Sequence, residues 1–236
     1  MIKIKQKSDK PLEHKTECLI LPCPEEKKPR GMVQDLDAAL NGAITRAFEN
    51  KRFTGKSNQT LLLNSTGCLK ADNLLLVGVG KAKEVTAEKI CQASGTAAKL
   101  AEKSNFKSVT VFLNECCFDQ ISKGKRGLYG ELAGAVAEGT GLALYHFDAY
   151  KSTDEKDDPP SRVGQLTLIP ALKTRQATVE KSISRAEKII SAVHSARDLI
   201  SHPGNTATPT FLAEHAKKLA RKNKITCKVL GKKEME

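Results

Sequence analysis

Leu74, Leu75, Leu76 and Val77 run without interruption into Gly78-Val79-Gly80, and a stretch crowded with small residues follows. A continuous apolar run of this length suits a strand covered on both faces, because neither side can meet water. The small residues after it (Ala93, Ser94, Gly95, Ala97, Ala98, Ala101) let a helix over 87–103 lie close against a sheet. The same alternation recurs along the chain. Strands are expected at 17–21, 60–63, 109–113 and 166–169, and helices at 36–48 and 128–145. Pro22 and Pro24 should stop the first strand. Leu36, Leu40, Ile44 and Phe48 form one apolar stripe on a single helix, and Gly55 sits in a turn between two hairpin strands. Strands alternating with helices of this length predict an α/β fold, a sheet flanked by helices rather than a sandwich.

Beyond that sheet the pattern changes. A helix over 179–200, with Ile183, Ala186, Ile190, Val193 and Ile200 on one side, would reach about 30 Å and suits a strut. Pro203-Gly204 breaks it. Thr208 is placed as an N-cap because Pro209 follows at the first helical position, where a missing N–H costs nothing. That helix reaches about residue 222. Ile225, Cys227 and Val229 then alternate as a strand, and residues 232–236 begin another helix. A solitary strand carries unpaired backbone groups and half an apolar face. It could join the edge of the first sheet, but after a long strut it reads better as the first unit of a second α/β domain. The expected organisation is therefore 1–172, 173–202 as linker helix, and 203–236 as the truncated start of a second domain.

The core must be built from Leu, Ile, Val and Ala, since aromatic residues are only 4% of the 236 and Trp is absent. No run approaches the roughly 20 apolar residues that span a bilayer. The opening MIKIKQKSDK has no apolar core of a signal peptide, so a cytoplasmic location is expected. Seven cysteines are scattered without a CxxC pair, which fits reduced thiols in a cytosolic protein. Cys116 and Cys117 would face opposite ways on a strand. The net charge of +12 could attract nucleic acid, and Lys217, Lys218, Arg221, Lys222, Lys224, Lys228 and Lys232 are its densest cluster. No aromatic residue stands among them to stack a base.

Chemistry motifs fail in detail. A Walker loop needs Gly where Leu75 stands and Ser or Thr where Ala82 stands, and a dinucleotide fingerprint needs Gly at Lys83. The amides of Gly78 to Lys81 could still greet an anion at the following helix. His14 and His146 are isolated, while His194, His202 and His215 lack metal-ligand spacing; Glu214 and His215 read as an exposed helix face. Asp154, Glu155, Asp157 and Asp158 sit in a proline-bearing polar loop without the calcium-loop pattern. No residue is assigned a catalytic, cofactor-binding or metal role.

Ala196-Arg197-Asp198-Leu199, then Pro203, Asn205 and Thr208-Pro209, resemble a signature of the leucyl (cytosol) aminopeptidase family, peptidase M17. Ser201 replaces the family's usual Asn. Upstream, Leu36-Asp37-Ala38-Ala39-Leu40, Phe53-Thr54-Gly55-Lys56, Leu76-Val77-Gly78-Val79-Gly80-Lys81 and Ala137-Glu138-Gly139 follow the family's N-terminal domain in order. The resemblance implies a macro-like N-terminal domain, a linker helix and a catalytic metallopeptidase domain in cytosolic hexamers that release N-terminal amino acids from peptides. It also implies two divalent ions, zinc or manganese, held by a lysine, three aspartates and a glutamate. The hallmark Asn-Thr-Asp-Ala-Glu-Gly-Arg-Leu is absent, so the ligands are expected beyond Glu236 and this chain is expected to be catalytically incomplete. The rival expectations are a stand-alone macro-like module binding a nucleotide or ADP-ribose-like anion, and a basic nucleic-acid-binding domain.

Overall fold

A computed structural model describes residues 2–125, 127–151 and 162–235, which divide into two compact units, Met1–Ser191 and Ala192–Glu236. In the first unit six strands form one sheet: β1 (Lys3–Gln6), β2 (Thr16–Pro24), β3 (Thr60–Asn64), β4 (Ala71–Gly80), β5 (Ser108–Leu113) and β6 (Gln165–Pro170). Their spatial order is β1-β6-β5-β2-β4-β3, parallel throughout except that β3 runs antiparallel to β4.

Alternation within the strands sorts side chains into two cores. Cys18, Ile20, Leu75, Val77, Val79, Val109 and Val111 face one side, where they meet α3 (Ala87–Lys103), α5 (Leu128–Ala143) and Val179, Ile183, Ala186 and Ile190 of α6 (Gln176–Ser201). Leu19, Leu21, Leu74, Leu76 and Phe112 face the other, beneath α1 (Met32–Ala39) and α2 (Ala43–Glu49). The fold is thus a mixed α/β sheet flanked by helices. The small residues, expected to let a helix lie close to the sheet, also bring two helices together: a Cβ on Gly139 of α5 would lie 2.1 Å from the Cys91 carbonyl oxygen of α3.

Several elements differ from the sequence reading. Strand β2 continues through Pro22 and Pro24. A residue's N–H and C=O point to the same neighbour, and the β5 ladder along β2 ends at Ile20 paired with Val111. The missing N–H of Pro22 therefore falls where no ladder bond exists, and its carbonyl accepts from Asn114 Nδ2 at 2.7 Å. The expected helix over 36–48 is two helices, because Asn41 (φ 52°) and Gly42 (φ 77°) turn left-handed. Its stripe survives: Leu36, Leu40, Ile44 and Phe48 are all buried. Asp37, itself buried, restarts α2 by accepting from the amides of Ile44 (2.7 Å) and Thr45 (3.0 Å) and from the Thr45 hydroxyl. No strand precedes Gly55; residues 50–56 form turns and open loop. Cys116 and Cys117 lie on a helical turn (Glu115–Asp119) leading into the short α4 (Gln120–Ser122), not on a strand. The edge strand β1 was not foreseen. Most of the polar loop, residues 152–161, lies outside the described residues.

The second unit contains the end of α6, the turn at 202–208, α7 (Pro209–Asn223) and α8 (Lys232–Met235). Thr208 caps α7 as expected, its hydroxyl accepting from the Phe211 amide at 3.3 Å. Residues 225–230 form no strand, since a strand exists only through a ladder partner and none is made among the described residues. Ile225 is 62% exposed and Leu230 47%.

Candidate functional site

In an open parallel sheet ligands favour the carboxyl ends of the strands, at the point where successive connections leave on opposite faces. Here that point is the end of β2. Its following helices α1 and α2 cover one face, while α3 and α5, which follow β4 and β5, cover the other. Gly78-Val79-Gly80, expected as a turn, is the end of β4 paired with Cys23 and Pro24 of β2; it lies on one flank of this crevice and Asn114 on the other.

The chain itself occupies both flanks. Residues 53–59 fold over the end of β4. The Gly78 amide donates to the Gln59 carbonyl at 2.7 Å and the Gly80 amide to the Gly55 carbonyl at 2.9 Å, while Asn58 N–H donates back to Gly78 at 2.9 Å. The two glycine amides that an anion would need are therefore already used by main-chain acceptors. The approach leaves no room for a side chain: a Cβ on Gly78 would sit 2.0 Å from the Lys56 carbonyl oxygen, and one on Gly55 2.3 Å from that of Pro24. On the β5 flank, Asn114 spans from the Pro22 carbonyl to the Cys117 amide, which it accepts at 2.8 Å. The hollow remaining beside Cys23, Pro24 and Val33 measures about 10 Å³, room for one water at most. After Gly80 the chain makes one 3₁₀ turn (Ala82–Glu84) before α3, which is capped by Thr86 accepting from Lys89 N–H. The helix thus begins away from the glycines rather than at them.

The histidines are engaged in structure. His14 is 5% exposed; its Nδ1 meets Asp9 Oδ2 at 2.7 Å and its Nε2 meets Thr110 Oγ1 at 3.2 Å. This acid–imidazole–hydroxyl line has the order of a catalytic triad, but Thr110 is 1% exposed and donates onward to Thr16 at 3.1 Å. No substrate reaches it. It ties residues 9–14 to β5. His146 meets Glu102 at 2.8 Å. His202 packs edge-on against Phe211. His215, expected on an open helix face, is half-buried and meets Ser195 Oγ at 3.0 Å. Burial pushes the Cys18 thiol up to about 12, with Glu17 adding to the effect, and burial likewise raises Cys91, helped by Glu88 and Glu138. Protonated thiols of this kind are poor nucleophiles.

Among the described residues no three His, Cys, Asp or Glu side chains gather as a metal would require. Asp37, the one buried carboxylate among the described residues, is saturated by the start of α2. Larger hollows lie on the surface. One of about 460 Å³ is lined by Lys27, Lys28, Gln34, Thr45, Phe48 and Glu49. Another of about 540 Å³ runs along Gly127, Gly130 and Gly134 of α5 against Thr178, Ser182 and Arg185 of α6. Each carries acidic, basic and hydroxyl side chains, Asp37, Lys28 and Thr45 in the first and Glu131, Lys181 and Ser182 in the second, but the hydroxyls are spent on structure, Thr45 donating to Asp37 and Ser182 to the Thr178 carbonyl. The lysine and arginine cluster at 217–228 is exposed, and no described helix is long and apolar enough to cross a membrane.

Residues 20–154 match the model for "Cytosol aminopeptidase family, N-terminal domain". A probable cytosol aminopeptidase of Geobacter sp. (strain M21) is 36% identical over the whole of this chain, which spans 45% of that relative's length. A mutant form of tomato leucine aminopeptidase superposes with a TM-score of 0.80 at 24% identity, covering 100% of this chain and 45% of that one. The bottromycin maturation enzyme BotP, solved with Mn, superposes at 0.66 with 20% identity over 93% of this chain and 39% of its own. Both superpositions speak for the fold. The family match takes in more than half of the chain and follows the sheet from β2 to past α5. The chain belongs to the cytosol aminopeptidase family, of which it carries the N-terminal domain.

Proposed function

We propose that this chain is the non-catalytic N-terminal part of a cytoplasmic, metal-dependent leucyl aminopeptidase. It would be organised as a macro-like domain over 1–172, a linker helix over 173–202, and the opening of the peptidase domain from 203. The observation that carries the reading is the match of residues 20–154 to the N-terminal domain of the family, in a chain spanning under half of its curated relatives. In the intact enzyme, two divalent ions would activate a water for attack on the N-terminal peptide bond of a substrate. The described residues do not fit such a pair of ions, so no step of that chemistry is assigned to them. Their role is architectural: to carry the peptidase domain, support assembly and shape access to its active sites.

The reading is tested with the purified 236-residue chain and leucine amide in the presence of manganese or zinc. No turnover is expected. Metal-dependent hydrolysis by homogeneous protein would overturn it. Titration of the same chain with ADP-ribose in a calorimeter should be flat, because the glycine amides at the end of β4 already have acceptors.

A further inference from the structure

The two edges of the sheet are built differently. At one edge β1 presents Lys3 and Lys5, both exposed, with Lys7 following. Lysines along an edge keep another strand from adding to it. At the other edge β3 reads Thr60-Leu61-Leu62-Leu63-Asn64, without charge, proline or bulge. The whole run from Ser57 to Cys68 is uncharged, in a chain that is 28% charged with a net +12.

The register fixes which groups of β3 are available. Gln59 and Ser65 bond to β4 through Gly78 and Asp72, and bonding alternates along an antiparallel strand. Gln59, Leu61, Leu63 and Ser65 therefore point their main chain inward. Thr60, Leu62 and Asn64 point theirs outward. Leu61 and Leu63 send their side chains into the core beneath α1 and α2, while Leu62, on the opposite face, is 36% exposed.

We propose that β3 is a self-association edge that pairs antiparallel with β3 of a second copy of this chain, joining two six-stranded sheets into one. A two-fold axis through Leu62 sets it opposite Leu62 of the second copy and sets Thr60 opposite Asn64. The outward amides and carbonyls of these residues then form about six main-chain hydrogen bonds. A second copy is favoured over a charged partner because this uncharged strip is where two strongly cationic chains approach with least repulsion.

Sedimentation velocity on the 236-residue chain over about 1–100 µM should show reversible dimerisation. Amide exchange should slow at Thr60, Leu62 and Asn64 as concentration rises. Leu62→Lys sets two like charges face to face across the axis and should weaken association roughly tenfold or more. Thr60→Lys serves if circular dichroism shows Leu62→Lys to be unfolded. A chain that stays monomeric overturns the proposal, as does a dimer that Leu62→Lys leaves unchanged or whose formation leaves exchange at 60–64 untouched. A β3 edge filled only by a strand from a different protein would give the first of these results.

Discussion

Replacing Gly78 with alanine places a methyl group 2.0 Å from the Lys56 carbonyl oxygen, 2.6 Å from the Gly55 carbonyl carbon and 2.7 Å from the Gly55 oxygen. All three are main-chain atoms, so no side-chain rotation relieves the overlap and residues 53–59 must lift from the end of β4. The lift breaks the bonds from Gly78 to Gln59, from Asn58 to Gly78 and from Gly80 to Gly55. At about 1 kcal/mol net for each hydrogen bond, the loss is roughly 3 kcal/mol. For a chain of this size that corresponds to a fall in Tm of about 6–12 °C. Gly67→Ala supplies the control. Gly67, unlike Gly78, is left-handed (φ 82°), and nothing lies within 4 Å of its added Cβ, so its substitution carries a backbone cost of about 1–2 kcal/mol and no overlap. Urea unfolding followed by circular dichroism measures both. If Gly78→Ala unfolds at the wild-type midpoint, or no earlier than Gly67→Ala, the loop does not fill the crevice. The glycine amides would then be open to an anion.

Asp37→Ala removes the acceptor of the buried Ile44 amide and the half-buried Thr45 amide and should cost about 2 kcal/mol, with Asp37→Asn recovering part of it, read from urea midpoints. A thiol reagent at neutral pH should label Cys68 and Cys227, which are exposed, and leave Cys18, Cys23 and Cys117 untouched until the chain unfolds; peptide mapping identifies the sites. The raised Cys18 pKa means that the folded state keeps a proton the unfolded state gives up. Its contribution to stability is therefore full below about pH 9 and declines as pH rises towards 12, and Cys18→Val should flatten that part of the urea-stability profile. Duplex DNA should be retarded by the exposed lysines only at low ionic strength, with binding to every sequence lost by about 200 mM salt.

Much of the sheet was legible because its signals are local. The run at 74–77 needs no knowledge of its neighbours to be recognised as a strand covered on both faces, and α3 spans Ala87–Lys103, as the small-residue stretch after that run suggests. The break at Asn41-Gly42 was also local, since an Asn-Gly pair inside an apolar stripe is a turn signal; the stripe concealed it by surviving the break. Likewise Ile2 and Ile4, separated by lysines, carry the alternation of the edge strand β1. Pro22 and Pro24 are different. Whether a proline ends a strand depends on whether its vacant N–H faces a partner, and that is decided by where the pairing of β5 with β2 ends.

The crevice shows the same distinction at the level of function. A glycine at the end of a strand reports that some backbone or ligand approaches closely, but the residue itself is silent on which. Gly78 satisfies the pattern of an anion loop and the pattern of a packing glycine equally well, and the deciding atoms belong to Gly55, Lys56 and Gln59, remote in sequence. Phe53-Thr54-Gly55-Lys56 and Leu76-Val77-Gly78-Val79-Gly80 resemble the family as two separate motifs, yet in the structure they are two halves of one contact. A side chain on Gly78 would strike the main chain of Gly55 and Lys56, and one on Gly55 the main chain of Pro24 and Glu25. The contact of the two motifs closes the place where a sheet of this kind would hold a ligand. The Gly78 and Gly80 amides at that edge serve the carbonyls of Gln59 and Gly55, so the fold itself takes the bonds an anion would need.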